Sequence, residues 1–334
     1  MTVVSVGDMA QQFRSLRNGN TIKTELNALA ESLSSGKVTD LTKALNGDTV
    51  RFSGIRYSLS QLDGFSQVAT ETQQTLANIQ TVLSKVDSSR GATAERLLLV
   101  NDSSTVVQIN EAASSARGTF EEIVLALNTQ IADRALMGGN QVTAAPLNNA
   151  AAMLTDIETA IGGATDQATI SATVEAWFND PAGGFFTNGY LGDTGDPAER
   201  RVSDNRTIEI DARADDPAIR LVMQGAALAA LANDLPALDQ ETRSGMLQEA
   251  ASQLYGAASD LVAVQARIGF AEAGVGRVLA ETSAQQTSLQ LAQNDLSLAD
   301  PFETASRLQA TQQQLETFFS ITARMSQLSL LRYI

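Results

Sequence analysis

The chain contains no cysteine and no histidine among its 334 residues. These two absences exclude disulfides, thiolate or imidazole metal ligands, and any Cys or His nucleophile–base pair. The two Gly-Gly pairs, at 138–139 and 183–184, lack the spacing of a phosphate-binding loop or a dinucleotide fingerprint. The sequence therefore predicts a protein that is not an enzyme and that binds neither a cofactor nor a metal ion.

Carboxylate side chains are abundant, but their spacing does not form a site. Glu121 and Glu122 are adjacent, and neighbours on a helix point about 100° apart rather than toward one ligand. Asp211, Asp215 and Asp216 lack the alternating spacing of a calcium-binding loop. We interpret the glutamates as surface charge and the three aspartates as a solvated turn.

Basic clusters and long apolar runs are also missing. The net charge is −15 and the sequence pI is about 4.4. An acidic surface repels phosphate backbones, which excludes nucleic acid as a partner class. No run of 18 apolar residues occurs, so we expect no membrane insertion, and the first residues lack the basic and apolar regions of a secretory signal.

Aromatic residues are few, at 5% of the chain, and proline occurs only 6 times. Ala, Leu, Ser, Thr and Gln dominate instead. This composition is typical of long helices that pack through narrow seams.

Both ends of the chain show the apolar spacing of amphipathic helices. Near the start, the pattern runs until Gly36, which is placed to end a helix. Near the other end, Asp300 and Pro301 are placed to begin a helix that continues to the last residues. We predict that the two helices pair and that their apolar faces form an assembly interface, comprising Ile22, Leu26, Leu29, Leu33, Leu315, Phe318, Met325, Leu328 and Leu331.

Three further heptad-like patterns predict helices over about 60–86, 105–136 and 247–296. In the last of them, spacings of three and four alternate without a slip. At about 1.5 Å per residue such a helix is roughly 75 Å long, which is too long for a spherical domain.

The segment 148–215 differs in kind. It contains two short helical patches, at about 154–161 and 169–178, then a turn-rich run and a strand-like alternation over 207–213. Trp177 is interpreted as the anchor of a small domain. The pattern becomes helical again over 217–235.

Together these patterns predict a mainly α fold. We expect an elongated helical rod with coiled-coil-like seams formed by both chain ends, plus a small α+β tip insertion. The predicted division is a pair of terminal helices at 1–37 and 300–334, a helical rod at 38–147 and 216–299, and a tip domain at 148–215.

Four segments carry a resemblance to a known family. Residues 29–37 read LAESLSSGK and residues 266–269 read ARIG. Residues 300–305 read DPFETA, and the chain ends SQLSLLRYI. These segments resemble the conserved ends of the flagellin family, over about the first 145 and the last 120 residues.

Within that family, the final Tyr333-Ile334 resembles the members at the hook–filament junction. The turn at 136–147 is similar to theirs too, although Ala135 and Met137 stand where aromatics are usual. The resemblance implies a structural subunit of the extracellular flagellum that supports motility. It implies a ring of copies with hook-associated protein 1 and flagellin as partners, an export chaperone, and passage through the flagellar secretion channel without a cleaved signal peptide.

Two alternatives stay open at this point. The first is a flagellin that builds the filament itself. The second is a cytosolic coiled-coil scaffold.

Overall fold

The computed structural model describes residues 6–45, 47–235 and 238–331, and it shows a mainly α-helical protein. Nine α-helices, one π-helical turn and two small antiparallel sheets occur in the described ranges. In chain order these elements are α1 (Val6–Ser35), α2 (Leu41–Ala44), α3 (Val50–Leu98), α4 (Val106–Leu127), β1 (Gln130–Ile131), β2 (Arg134–Ala135), α5 (Ala150–Ile161), α6 (Gln167–Asn179), the π-helical turn (Phe185–Gly189), β3 (Ala198–Ser203), β4 (Arg206–Ile210), α7 (Pro217–Asp234), α8 (Gln240–Ser297) and α9 (Pro301–Leu331). The predicted fold class, mainly α with a small α+β part, is confirmed.

Contacts divide the chain into two compact units. The terminal unit comprises Met1–Leu62 and Ala284–Ile334, and the central unit comprises Asp63–Ser283. The three-part division predicted from the sequence, with boundaries at 37, 147, 215 and 299, is untested by this grouping and stays a prediction.

The central unit is built around α7, in which every residue from Val222 to Ala232 is buried. Its alanines and Gly225 allow close approach, and a β-carbon at Gly225 would lie 2.9 Å from Leu254 Cγ of α8. Helices α4 and α6 pack directly on α7, and α5 packs on both α4 and α6. The predicted small domain thus shares its core with the longer helices.

Helices α3 and α8 run antiparallel within the central unit. Gln80 Nε2 donates to the carbonyl of Gln265 at 2.6 Å, and Arg90 donates to the carbonyl of Leu254 at 2.8 Å. The seam predicted on α8 is buried here. It includes Leu247, Ala250, Leu254, Ala257, Leu261, Val264, Ile268, Val275 and Val278.

Trp177, which was predicted to anchor the small domain, lies in an aromatic cluster. The side chain is only 4% exposed, and its Nε1 donates to Asp156 Oδ2 at 2.9 Å. The ring packs edge-on against Phe178 and Phe185, with centroids 4.7 and 6.1 Å away. Gly184 lies so close to the indole that a β-carbon there would overlap Nε1.

The prediction of a helix over 105–136 was wrong at its end, because α4 stops at Leu127. The side chain of Asn128 turns the chain by pairing with Leu147, as both donor and acceptor, at 2.9 and 2.8 Å. Residues 130–135 then form a hairpin whose turn residues, Ala132 and Asp133, have φ of 49° and 59°. The apolar residues of this hairpin continue the spacing of the apolar residues in α4. For this reason the sequence pattern predicted a longer helix.

The predicted helix breaks at the two ends are confirmed. Gly36 follows α1 with φ +68°, the left-handed conformation that ends helices. Asp300 caps α9, because its Oδ1 accepts from the backbone amides of Phe302 and Glu303 at 2.8 and 3.1 Å.

None of the described helices contains a stretch long and apolar enough to cross a lipid bilayer.

Candidate assembly interface

The terminal unit pairs α1 with α9 in antiparallel orientation. Next to the end of α1, the amide of Val38 donates to Ser297 O at 2.9 Å, and the amide of Ala299 donates to Gly36 O at 3.0 Å. Further along, the ring of Phe318 lies against Gly19, where a β-carbon would be 2.9 Å from Cε1. The two helices therefore share one narrow seam.

Small residues fill that seam. Gly19 and Ser32 are the buried residues of α1 among those with described side chains, and Thr304 and Thr311 are those of α9. Such residues let helices approach closely but bury little apolar surface. Two helices of about 30 residues paired alone are marginal in water, and this pairing leaves apolar side chains of both helices exposed.

The predicted interface residues lie on both sides of this seam. Ile22, Leu26, Leu29, Leu315 and Phe318 are half-buried. Leu33 is 39% exposed and Met325 is 46% exposed. The side chains of Leu328 and Leu331 lie outside the described residues. The structure therefore leaves five of the nine half-buried and two exposed, and their role as an assembly interface stays a prediction.

The sequence reasoning missed a second apolar stripe on α1. Met9, Phe13 and Leu16 follow spacings of four and three, and they are 64%, 70% and 63% exposed. On α9, Phe319 and Ile321 are about half exposed. Lys23 lies over the Phe319 ring, with Nζ 5.5 Å from its centroid. The spacing of 9, 13 and 16 is the signal that would have revealed this stripe.

The terminal unit has no hydrophobic core of its own in its described part. Ile55 is the only buried hydrophobic residue there, whereas the whole core cluster, from Ala69 to Val278, belongs to the central unit. Large apolar side chains exposed in the terminal unit include Val50, Tyr57, Leu291, Leu298 and Phe302. A surface of this kind is typical of proteins that bury it against partners.

Charged residues, like buried hydrophobic residues, are distributed unevenly between the two units. The terminal unit contains 10 basic and 9 acidic residues, and the central unit contains 13 basic and 29 acidic residues. The excess of negative charge thus lies in the central unit. Terminal units can approach one another with little net repulsion.

The aspartates near residue 215 form ion pairs with two arginines. Arg213 Nε lies 3.0 Å from Asp215 Oδ1, and Arg267 contacts Asp211 and Asp216 at 3.5 and 2.6 Å. Burial raises the pKa of Asp215, an effect that Arg213 opposes. Asp216 also caps α7 by accepting from the amide of Ala218 at 2.9 Å. The interpretation of these residues as a solvated turn was wrong for Asp215 and Asp216, whose side chains are 9% and 13% exposed, whereas Asp211 is 51% exposed.

In the described ranges, no three acidic side chains cluster in a way that could hold a metal ion. A concave site of about 300 Å³ is lined by Pro217 and by the same charged residues, Asp211, Arg213, Asp215, Asp216 and Arg267, whose charges are already paired.

Comparison with known protein families gives a match over the C-terminal part of the chain. Residues 246–334, which include most of α8 and all of α9, match the bacterial flagellin C-terminal helical region. The flagellin resemblance is confirmed. The match supports a structural component of the bacterial flagellum and not an enzyme.

A solved structure of a putative flagellar hook-associated protein from Vibrio parahaemolyticus has a similar fold, with a TM-score of 0.53. The alignment covers 74% of this chain and 96% of that chain at 11% identity, so the likeness concerns the fold alone. No curated protein matches the chain. The region that matches flagellin, residues 246–334, contains α9, which forms one half of the candidate assembly interface.

Proposed function

We propose that this protein is a structural subunit of the flagellum that joins the hook to the filament. In this proposal its terminal unit associates with neighbouring copies in a ring, with hook-associated protein 1 on one side and flagellin on the other. The observation that carries the proposal is the exposed apolar surface of a terminal unit that lacks a core. That unit also contains the end of the chain that matches flagellin.

Burial of this surface provides the driving force for assembly. Met9, Phe13 and Leu16 each expose more than 60% of their area. Covering a side chain of this size contributes about 1.5–3 kcal/mol. A handful of such residues on each copy is sufficient to order helices that are marginal when isolated.

The distribution of charge supports the same arrangement. The near-neutral terminal units can crowd together, while the acidic central units keep free subunits apart in solution. An export chaperone would cover the apolar stripes before assembly. The lack of cysteine suits a chain that is threaded through the secretion channel, because no disulfide can form across it.

A deletion strain tests the junction role. Cells without the gene should make hooks but no attached filaments, and sheared flagella from complemented cells should contain about one ring of copies. Thousands of copies per flagellum would instead identify a filament-building flagellin. Absence of the chain from sheared flagella would overturn the flagellar assignment in favour of a cytosolic scaffold.

Charge placed in the interface tests the assembly surface. The double variant Leu26→Glu, Leu315→Glu introduces two carboxylates at half-buried apolar positions, so it should fold but fail to restore filaments. The control Gln73→Glu, Ser114→Glu adds the same charge at exposed positions of the central unit and should restore them. Filaments restored by the first variant would contradict the interface assignment.

A further inference from the structure

A series of polar side chains crosses the packed helices α6, α7 and α8 of the central unit. It begins at Arg220 of α7, whose Nη1 donates to Asn179 Oδ1 at 2.8 Å, and Asn179 Nδ2 donates to Gln224 Oε1 at 2.9 Å. Gln224 Nε2 then donates to Gln253 Oε1 at 3.5 Å, and Gln253 Nε2 donates to Glu249 Oε1 at 3.2 Å. These five residues, here called the polar relay, connect a cation on α7 with an anion on α8 through three amides.

The two ends of the polar relay fix the direction of every hydrogen bond in it. A guanidinium can only donate, and an ionised carboxylate can only accept. Each of the three amides must therefore turn its oxygen toward Arg220 and its nitrogen toward Glu249, which is their arrangement in the structure. Hydrogen bonds aligned in one direction polarise and strengthen one another where water is excluded. Gln224, at the centre of the relay, is only 4% exposed.

Both ends of α6 are attached to the polar relay. Asn179 is the last residue of that helix. At the other end, Gln167 Nε2 and Ser171 Oγ donate to Glu249 Oε2 at 2.9 and 2.7 Å. Gly245 of α8 leaves room for Gln167, because a β-carbon there would overlap the amide oxygen of Gln167. The relay thus spans α6 from its first turn to its last residue.

Apolar packing holds α6 against its neighbours but does not by itself select one position along them. Four side chains of α6 are buried, namely Ile170, Val174, Trp177 and Phe178, and apolar burial is non-directional. A shift of α6 by one helical turn, about 5.4 Å, would separate the polar pairs that attach it. Such a shift would also leave the buried amide of Gln224 without a partner, which is costly in a protein interior.

We propose that the polar relay is a strap that docks α6 on α7 and α8 in one position and releases it as a whole. Loss of either charged end then weakens the attachment at the opposite end of α6. The longest link, between Gln224 and Gln253, joins α7 to α8 and is the point at which the strap opens first. The strap lies within one copy of the chain, so it is independent of the proposed function.

Hydrogen exchange of the purified full chain tests this coupling. Arg220→Met removes the cation but keeps a long side chain, and it should make amides 171–174 exchange several-fold faster, although Arg220 is bound to the other end of α6. Glu249→Gln removes the anion at similar volume and should accelerate amides 176–179 in the same way. The control Lys85→Met removes an exposed cation of α3 and should leave α6 unchanged. Acceleration confined to the end nearest each substitution would show separate local contacts and would overturn the strap.

A double-mutant cycle measures the same coupling from stability. Arg220→Met and Glu249→Gln should each lower the equilibrium constant for folding about tenfold, because each removes hydrogen bonds to a charged group. Together they should lower it several-fold less than the product of the two, since the second substitution acts on a relay that is already broken. Lys85→Met combined with Glu249→Gln should give the product of the separate effects.

The variant Gln224→Met distinguishes the relay from attraction through space. Methionine has a volume similar to that of glutamine but has no hydrogen to donate to Gln253. In this background the effects of Arg220→Met and Glu249→Gln should multiply as independent losses. Coupling of undiminished size would identify direct charge attraction and overturn the proposal, as would independence of the two substitutions when Gln224 is present.

Discussion

The terminal and central units are built from the same kind of helix but complete their packing differently. In the central unit, α4 and α6 pack on α7, and the buried seams of α3, α4 and α8 belong to one extensive core. In the terminal unit, α1 and α9 share a seam of small residues and leave phenylalanine, leucine and methionine in solvent. A heptad pattern therefore shows which face of a helix will be buried, but it does not show whether the partner helix belongs to the same chain.

The charge of the two units follows the same contrast. A near-neutral surface suits close packing of many copies, and an excess of acidic residues suits exposure to water. The terminal unit thus has the properties of an interface, and the central unit those of a self-contained domain.

The largest expected effect compares aspartate substitutions in the two units. Leu261 is fully buried in the central seam, so Leu261→Asp should lower the free energy of unfolding by more than about 3 kcal/mol. Leu26 is half-buried in α1, and Leu26→Asp should change the unfolding of the central unit by less than about 0.5 kcal/mol. Urea denaturation followed by circular dichroism would measure both values. Similar losses in the two variants would show that the units share one core.

Two glycines give a smaller contrast of the same type. Gly184→Ala would drive a β-carbon into the buried Trp177 indole, which we expect to destabilise the central unit by about 1–3 kcal/mol. Gly19→Ala meets only the edge of the half-buried Phe318 ring, which can move. Its cost should be offset by the better helix propensity of alanine. Calorimetric melting of both variants would reveal the difference, and a stable Gly184→Ala protein would contradict the packing around Trp177.

The smallest expected effect concerns pH and the buried charges of the central unit. Because burial raises the pKa of Asp215, the folded unit binds a proton there more readily than the unfolded chain does. This group therefore contributes stability that is fully present below its unfolded pKa and is lost as pH rises through the folded pKa. Asp215→Asn removes this contribution. As the pH is lowered from neutral to about 4, the melting temperature of the variant should therefore fall slightly relative to that of the wild type. A constant difference across that range would argue against the raised pKa.

Much of the fold could be predicted from local signals. Gly36 and the Asp300-Pro301 pair mark helix ends because their conformations and capping groups act within one turn. The unbroken alternation along α8 predicted its great length. Strand β4 was found from its alternation over 207–213, but its partner β3 was missed, since Glu199, Arg200 and Arg201 hide the pattern.

The candidate interface could be predicted only in part, for a physical reason. The seam of α8 continues past Thr282 through Leu289 and Leu296 with unchanged spacing, yet those leucines are only half-buried. The spacing of apolar residues along a helix is the same whether another helix covers the seam or solvent does. Likewise, Asp211 and Asp216 pair with Arg267, which lies 51 or more positions away along the chain. The spacing of residues along the chain cannot reveal ion pairs between such distant positions.

Hydrogen exchange of the free and the assembled protein tests whether assembly completes the packing of the terminal unit. In the free subunit, amides of α1 and α9 should exchange rapidly, because their helices lack a core, while amides of α8 from 247 to 278 should be strongly protected. In isolated flagella, α1 and α9 should become as protected as α8. Strong protection of α1 and α9 already in the free subunit would show that the terminal unit is complete by itself and would contradict the account.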